Sequence, residues 1–248
     1  MSQTEPVSPD ESGLLPKAHA MVFVDDLDSI EISPDDFHHL ARVLRLVKGE
    51  SLIASDGGGN WRMCQWRGSS DKYSPVEPNS DIFVQRKLEP QVGVAFSIQK
   101  GSRPEWCVQK LTELGIDLIL PFTSDRSVVK YDSSKSHKES LRFKAIAREA
   151  SMQSRRAWLP IIEPITNFDS IAGDSEHPFS LAVPKANPIT DSIRFIAIGP
   201  EGGFSERELG ANMPHIGLGQ HILRAETATL AAATLLSFFR EGLGSKIN

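Results

Sequence analysis

A turn rich in glycine, placed directly after an apolar run, is where this chain is best equipped to do chemistry. Ile196-Ala197-Ile198 leads into Gly199-Pro200-Glu201-Gly202-Gly203, and Ser205 with Glu208 three positions on makes a capping box that starts a helix. In an open α/β sheet, ligands bind beyond the carboxyl ends of the strands. Adjacent glycines let backbone amides approach a ligand there, and Glu201 can project into the same space. A tight turn that simply needs glycine would use the same residues without any ligand. A second turn of this kind, Leu218-Gly219-Gln220-His221-Ile222-Leu223-Arg224, leads into the last helix pattern. Two such turns together could build an adenosine pocket. The chain has neither a phosphate-loop lysine nor a complete G-x-G-x-x-G, which argues against P-loop hydrolysis and ordinary dinucleotide binding.

Charge supplies the next clue. The formal net charge is −5, but it is unevenly spread. Residues 1–36 hold nine acids against Lys17, whereas 38–72 carry a net +3 and 100–158 a net +5. Screening confines such patches to about 10 Å at 0.1 M salt, so a phosphate backbone responds to the local excess rather than to the total. Arg42, Arg45 and Lys48 form one cluster. Lys144, Arg148 and Arg155, at i, i+4 and i+11, fall within about 40° of one another if their helix continues that far. Arg156 lies beside them. Such a stripe suits phosphates, and a merely solvated helix face would look the same. Adjacent His38 and His39 point in different directions on a helix, so no metal site is expected.

The elements that must position these residues follow from periodicity. Met21–Val24, Ser51–Ser55 and Asn60–Trp66 read as short strands, the latter two joined through Asp56-Gly57-Gly58-Gly59-Asn60. A helix capped by Ser33, with Pro34 first, places Phe37, Leu40, Ala41 and Leu44 on one face. Residues 69–79 read as loop, and alternation returns over 81–88. Beyond Pro90 the texture becomes β/α. Strands are predicted at Val92–Ile98, Leu118–Phe122, near Pro160–Ile162, at Phe179–Val183 and at Phe195–Ile198. Helices are predicted at Pro104–Leu114, Ser136–Ser154 and about Ala225–Arg240. This alternation implies a parallel sheet covered on both faces. The result is a small β-module followed by an α/β domain, with the boundary near 88–92.

With 40% hydrophobic and 24% charged residues over 248 positions, the chain has ample core-forming material. The longest apolar stretch, Thr227 to Phe239, is too short to span a bilayer, so no membrane role is expected. Cys64 and Cys107 cannot make a disulfide framework and read as free thiols in a reducing, cytoplasmic setting. The first twenty residues are polar, acidic and Pro/Ser-rich; they read as a disordered leader without the features of a secretory signal.

Five segments in order, HHLARVLRLVKGE, KGSRPEWCVQKLTELGID, EASMQSRR, GPEGGFSERE and LGQHILRAETATLAA, resemble the RsmE family. These are 16S ribosomal RNA (uracil-N3)-methyltransferases of the SPOUT superfamily, and the resemblance covers about residues 21–243. It implies a PUA-like RNA-binding β-barrel over 21–88, then a SPOUT α/β methyltransferase domain over 89–248 with a C-terminal trefoil knot. It implies S-adenosylmethionine as methyl donor, a homodimer, and the small ribosomal subunit as partner. Carried over by motif, the cofactor pocket is Leu181, Ala182, Val183, Gly199, Pro200, Glu201, Gly202, Gly203, Leu218, Gly219, Ile222, Leu223 and Arg224. Arg42, Arg45, Lys48, Lys144, Arg148, Arg155 and Arg156 would face RNA. Gln220-His221 stands where the family often has Pro-Arg. Methylating N3 requires loss of an imide proton, for which Glu201 or Glu226 is the candidate base, and a cation at O2 or O4, for which Arg224 or Arg156 is the candidate. The competing class is a non-catalytic RNA-binding assembly factor using the same basic faces.

Overall fold

The structure, a computed structural model, describes residues 15–68, 75–129 and 132–243. It divides into two compact units. The first takes the chain up to Lys87 together with Ser151–Leu159, and the second takes Leu88–Ala150 and everything from Pro160 onward.

In the first unit, β1 (Ala20–Phe23) runs parallel to β2 (Ser51–Ser55). β2 forms a hairpin with β3 (Asn60–Trp66), which also pairs antiparallel with β4 (Val76–Pro78) and β5 (Phe83–Val84). Pairing among the described strands leaves this sheet open, so the predicted barrel is not closed by hydrogen bonds. The strand β4 corrects part of the predicted 69–79 loop; residues 69–74 lie outside the described residues. Pro78 is tolerated because β4 is an edge strand. Most of the predicted leader also lies outside the described residues. From Leu15, however, the chain packs: Leu15 and Ala18 join a core cluster with Phe23, Ile53 and Trp61.

The helix after Ser33 begins as read, the Ser33 hydroxyl accepting from the Asp36 N–H at 3.0 Å. Only α1 (Pro34–His38) is α-helical; His39–Val43 continues as a π-helical turn. The wider turn rotates later residues off the predicted face. Phe37, Leu40 and Ala41 therefore pack inward, while Leu44 is 45% exposed.

Ser151–Leu159 belongs to the first unit although no sequence pattern separates it from the α/β domain around it. Ala157 is fully buried, the Gly59 N–H donates to its carbonyl at 3.1 Å, and the Leu159 N–H donates to the Gly57 carbonyl at 2.9 Å. The Trp158 ring lies against Gly59, where an added Cβ would come within 2.3 Å of it.

The second unit is built on a parallel sheet in the order β12-β10-β11-β6-β7-β8, with β9 also on β7. These strands are β6 (Gly93–Ser97), β7 (Leu118–Thr123), β8 (Ile161–Ile162), β9 (Thr166–Asn167), β10 (Phe179–Ala182), β11 (Phe195–Ile198) and β12 (His215–Ile216). The central strands are fully buried, as apolar runs in a parallel sheet should be. The helices are α2 (Arg103–Glu113), α3 (Ser133–Ser154), α4 (Phe168–Ala172), α5 (Glu206–Leu209) and α6 (Ala225–Arg240). One face of the sheet packs Val94, Phe96, Ile196 and Ile198 against Cys107, Val108 and Leu111 of α2 and Ala232, Ala233 and Leu236 of α6. The other face packs Ala95, Leu181 and Ala197 against Phe168 and Phe204. Arg240, closing α6, is buried against Asp117 at 2.8 Å and donates to the Gly115 carbonyl at 3.0 Å, which fixes α6 lengthwise.

Both thiols lie in core. Burial pushes Cys64 and Cys107 up to about 12, leaving them protonated and unreactive. Iodoacetamide at neutral pH should leave the native protein unmodified and alkylate both thiols only after denaturation, as read by intact mass.

Candidate active site

The strand order places the carboxyl ends of β10, β11, β6 and β12 side by side, and their loops form one site. A pocket of about 310 Å³ is lined by Ala182, Val183 and Pro184 after β10, Ile198 to Phe204 after β11, Leu218, Gly219, His221, Ile222 and Leu223 after β12, and Ala225 and Ala228 of α6. The two glycine-bearing turns thus converge. Gly203 has φ +70, and its N–H closes the turn onto the Pro200 carbonyl at 2.8 Å. Among the described residues, the N–H groups of Leu218 to Leu223 donate to no backbone carbonyl. The pocket therefore offers apolar walls together with uncommitted amides, a donor set that fits an adenosine and a sulfonium side chain.

The exit of the β11 loop is held by a buried carboxylate. Glu208 accepts from the Ser205 N–H at 2.8 Å, the Ser124 hydroxyl at 2.9 Å and the Asp125 N–H at 2.9 Å. Ser205 in turn accepts from the Glu208 N–H at 3.2 Å, completing the capping box, and donates to Asp125 at 2.6 Å. Hydrogen bonds from Arg207, then from Ser205, pull Asp125 down to about 2. A lowered carboxylate stabilises the fold fully above its ordinary value of 3.8, and that stabilisation is lost as pH falls towards 2. Melting temperature should accordingly drop between about pH 4 and pH 2, and Asp125→Asn should flatten that part of the profile.

Glu201 and Glu226, the two candidate bases, come together through a residue the motif reading did not assign. The Arg103 Nη1 donates to Glu201 Oε1 at 3.0 Å, and its Nε lies 3.8 Å from Glu226 Oε1. Glu201 is thus engaged by a guanidinium rather than by loop amides. The second oxygen of Glu226, Oε2, is buried and has no hydrogen-bond partner among the described residues. Arg103 opens α2 directly after β6, and β6 pairs β11 with Phe96 opposite Ile198, so the loops that follow them meet. The signal in the sequence was a third strand-to-helix turn, Gly101-Ser102-Arg103-Pro104, equivalent in position to the other two.

The remaining predicted residues fall as follows. Eleven of the thirteen motif-derived cofactor residues line the pocket. Leu181 does not: it is fully buried in the core, because alternation along β10 turns it to the face packed against Phe168 and Phe204, opposite Ala182. Arg224 does not line it either; it is the exposed N-cap residue of α6 and makes no side-chain cap bond. Arg156 belongs to the first unit, unlike Glu201, Arg224 and Glu226. The basic stripe is broken, since α3 ends at Ser154 and Arg155 turns to φ +56. Arg155 instead donates to the carbonyls of Pro16 and Ala18, pinning the segment that leads into β1. Lys144 is exposed on α3 and Arg148 half-buried, while Arg42, Arg45 and Lys48 are exposed beside Val43 and Val47, themselves 60% and 62% exposed. No cluster of three or more metal-ligating side chains occurs among the described residues, and no described helix is long and apolar enough to cross a membrane.

This parallel sheet with its loop-built pocket is that of an α/β ligand-binding domain, and the family described as an RNA methyltransferase domain matches residues 86–237, with an RNA methyltransferase PUA domain matching 32–72. A ribosomal RNA small subunit methyltransferase E from Bacillus subtilis is 30% identical over 242 residues, spanning 88% of this chain and 93% of the relative. A methyltransferase from Legionella pneumophila, solved with bound SAM, superposes with TM-score 0.77 at 28% identity, covering 87% of this chain and 96% of that one. The ribosomal RNA small subunit methyltransferase E of Neisseria gonorrhoeae, bound to S-adenosyl methionine, gives TM-score 0.73 at 25% identity over 88% and 96%. The chain belongs to the ribosomal RNA small subunit methyltransferase E family.

Proposed function

We propose that this protein transfers a methyl group from S-adenosylmethionine to N3 of a uridine in 16S ribosomal RNA. The observation that carries the reading is the convergence of the β10, β11 and β12 loops on one pocket, with two carboxylates and a guanidinium at its edge. Ala182, Val183, Ile198, Leu218 and Leu223 would flank the adenosine, and the amides of the 218–223 turn would meet its polar edge. Bound there, S-adenosylmethionine supplies an electrophilic methyl; the S–CH3 bond breaks as the N3–CH3 bond forms, and its electron pair stays on sulfur. The chain's own task is to unpair and hold the uridine, since N3 lies on the Watson–Crick edge, and to accept the imide proton. Glu226 takes that proton on Oε2, and Glu201, on the wall of the methyl-donor pocket, orders the approach.

The first unit acts as the family's PUA-like domain, holding RNA through Arg42, Arg45 and Lys48, with Arg156 from its inserted segment. In the second unit, Lys144 and Arg148 of α3 are the residues assigned to RNA. We read 21–88 and 89–248 as the two domains, with 151–159 counted to the first and the second ending in a trefoil knot. Strand order supports the knot, because the chain leaving β11 passes back across β10 to form β12. The protein works as a cytoplasmic homodimer.

Calorimetry with S-adenosylmethionine, followed by methyl transfer to small subunits lacking the modification and mass spectrometry of the rRNA, tests the reading. Cofactor binding and one 3-methyluridine are expected. RNA binding without cofactor binding would instead assign a non-catalytic assembly factor.

A further inference from the structure

Beside the methyl-donor pocket lies a second cavity of about 530 Å³, formed by the turn after β6 and by Val128, Val129 and Glu201. Glu201 is common to both cavities. Resting on the function proposed above, we propose that this second cavity takes the flipped target base, and that Arg103 is the cation that holds the base as its N3 anion.

Three observations converge on this. An in-line transfer needs the acceptor beside the donor, and the cavity adjoins the donor pocket through a single side chain. Its wall is cationic, with Lys100 and Arg103, and Lys100 makes no ion pair among the described residues. Finally, Gln99 lines the cavity at 3% exposure, and neither Nε2 nor Oε1 of its amide has a hydrogen-bond partner among the described residues. Buried polar groups are nearly always satisfied, so an amide left open at a cavity wall marks a place where something else completes it. A uracil carbonyl does so by accepting from Nε2.

Arg103 is placed for the charge that develops. Loss of the N3 proton creates an anion delocalised onto O2 and O4, beside two carboxylates that would repel it. The guanidinium lies between them, spends Nη1 on Glu201 and faces Glu226 only at ion-pair range, while its Nη2 is engaged by nothing among the described residues. That nitrogen is free to donate to O2 or O4. The proton leaves N3 for a carboxylate, and the lone pair left on N3 forms the bond to the methyl carbon. Arg224 and Arg156, the cations suggested by motif, are not needed for this step.

The test uses the full chain with undermethylated small subunits under single-turnover conditions across pH. Arg103→Gln should lower the rate about 10²–10³-fold at neutral pH. It should also move the rise of the pH–rate profile to higher pH, since imide ionisation loses its counter-charge. Affinity for S-adenosylmethionine should stay within about threefold, and Arg103→Lys should recover part of both the rate and the pH position, because it keeps the charge. Gln99→Leu should raise KM for the subunit about tenfold, the loss of one hydrogen bond to the base, with cofactor affinity unchanged. A rate loss in Arg103→Gln without any pH shift would make Arg103 a structural brace for the two glutamates and overturn its assignment. A Gln99→Leu variant with wild-type KM would overturn the base cavity. If the wild-type protein binds cofactor but methylates no subunit, the proposed function itself fails, whatever the variants do.

Discussion

Glu226→Gln should reduce single-turnover methyl transfer by about two to four orders of magnitude while leaving S-adenosylmethionine affinity nearly intact. The substitution keeps the shape of the side chain and removes only its capacity to take a proton. Glu226 sits in the first turn of α6, its side chain 19% exposed, one oxygen 3.8 Å from Arg103 Nε and the other buried without a partner. A proton taken on that unengaged oxygen breaks no existing hydrogen bond. Glu201 is placed differently. It is 47% exposed and already spends Oε1 on a charge-assisted hydrogen bond from Arg103 at 3.0 Å. Glu201→Gln should therefore cost less in rate, and part of its effect should fall on KM, because Glu201 borders both cavities. Should both glutamine variants turn over like wild type, proton transfer is handled by neither carboxylate and the site chemistry proposed here is wrong.

That division of labour could not be drawn from the sequence. Glu201 and Glu226 were visible as acids at the mouths of two turns, because a buried strand followed by glycine and a capping box is a local signal. The boundaries of β11 and α6 were legible for the same reason. What couples the two acids is Arg103, which reaches Glu201 only because β6 pairs in parallel with β11. Strand order is a long-range property that no local pattern encodes. The inserted segment 151–159 escaped for a related reason: it docks through one alanine, one tryptophan ring and a few backbone hydrogen bonds onto a hairpin about a hundred residues earlier. Spacing also misled where it assumed that a helix continues. The stripe through Arg155 required one more helical residue than α3 supplies, and Leu44 required α-helical winding where a π-turn occurs. The two-residue strand β9 carries no periodicity of its own and forms where β7 presents ladder groups, whereas β8 lies in the strand predicted near Pro160–Ile162.

The methyl-donor pocket depends most sharply on Gly217, a residue no motif singled out. Its N–H donates to the Asn187 carbonyl at 2.6 Å and its carbonyl accepts from the Ile189 N–H at 3.3 Å, clamping the turn after β12 to the turn after β10. A Cβ added at Gly217 would stand 2.5 Å from the Ala186 carbonyl oxygen, a backbone atom that cannot swing aside as a side chain can. Gly217→Ala must therefore push the two turns apart, moving Leu218, Gly219, Ile222 and Leu223 away from Ala182, Val183 and Pro184, the opposite wall of the same pocket. Displacements of about 1 Å in a positioned site are enough to cost about 10²-fold in rate, and cofactor affinity measured by calorimetry should fall by at least tenfold alongside. Gly219→Ala gives the contrast. Its Cβ would meet nothing within 4 Å, and only its φ of +145 opposes the change, so the loss should be smaller and should come through strain in the turn rather than separation of the walls. Wild-type cofactor affinity in Gly217→Ala would mean that the turns after β10 and β12 do not jointly form the binding wall, and the pocket would then have to be built from the β11 turn alone.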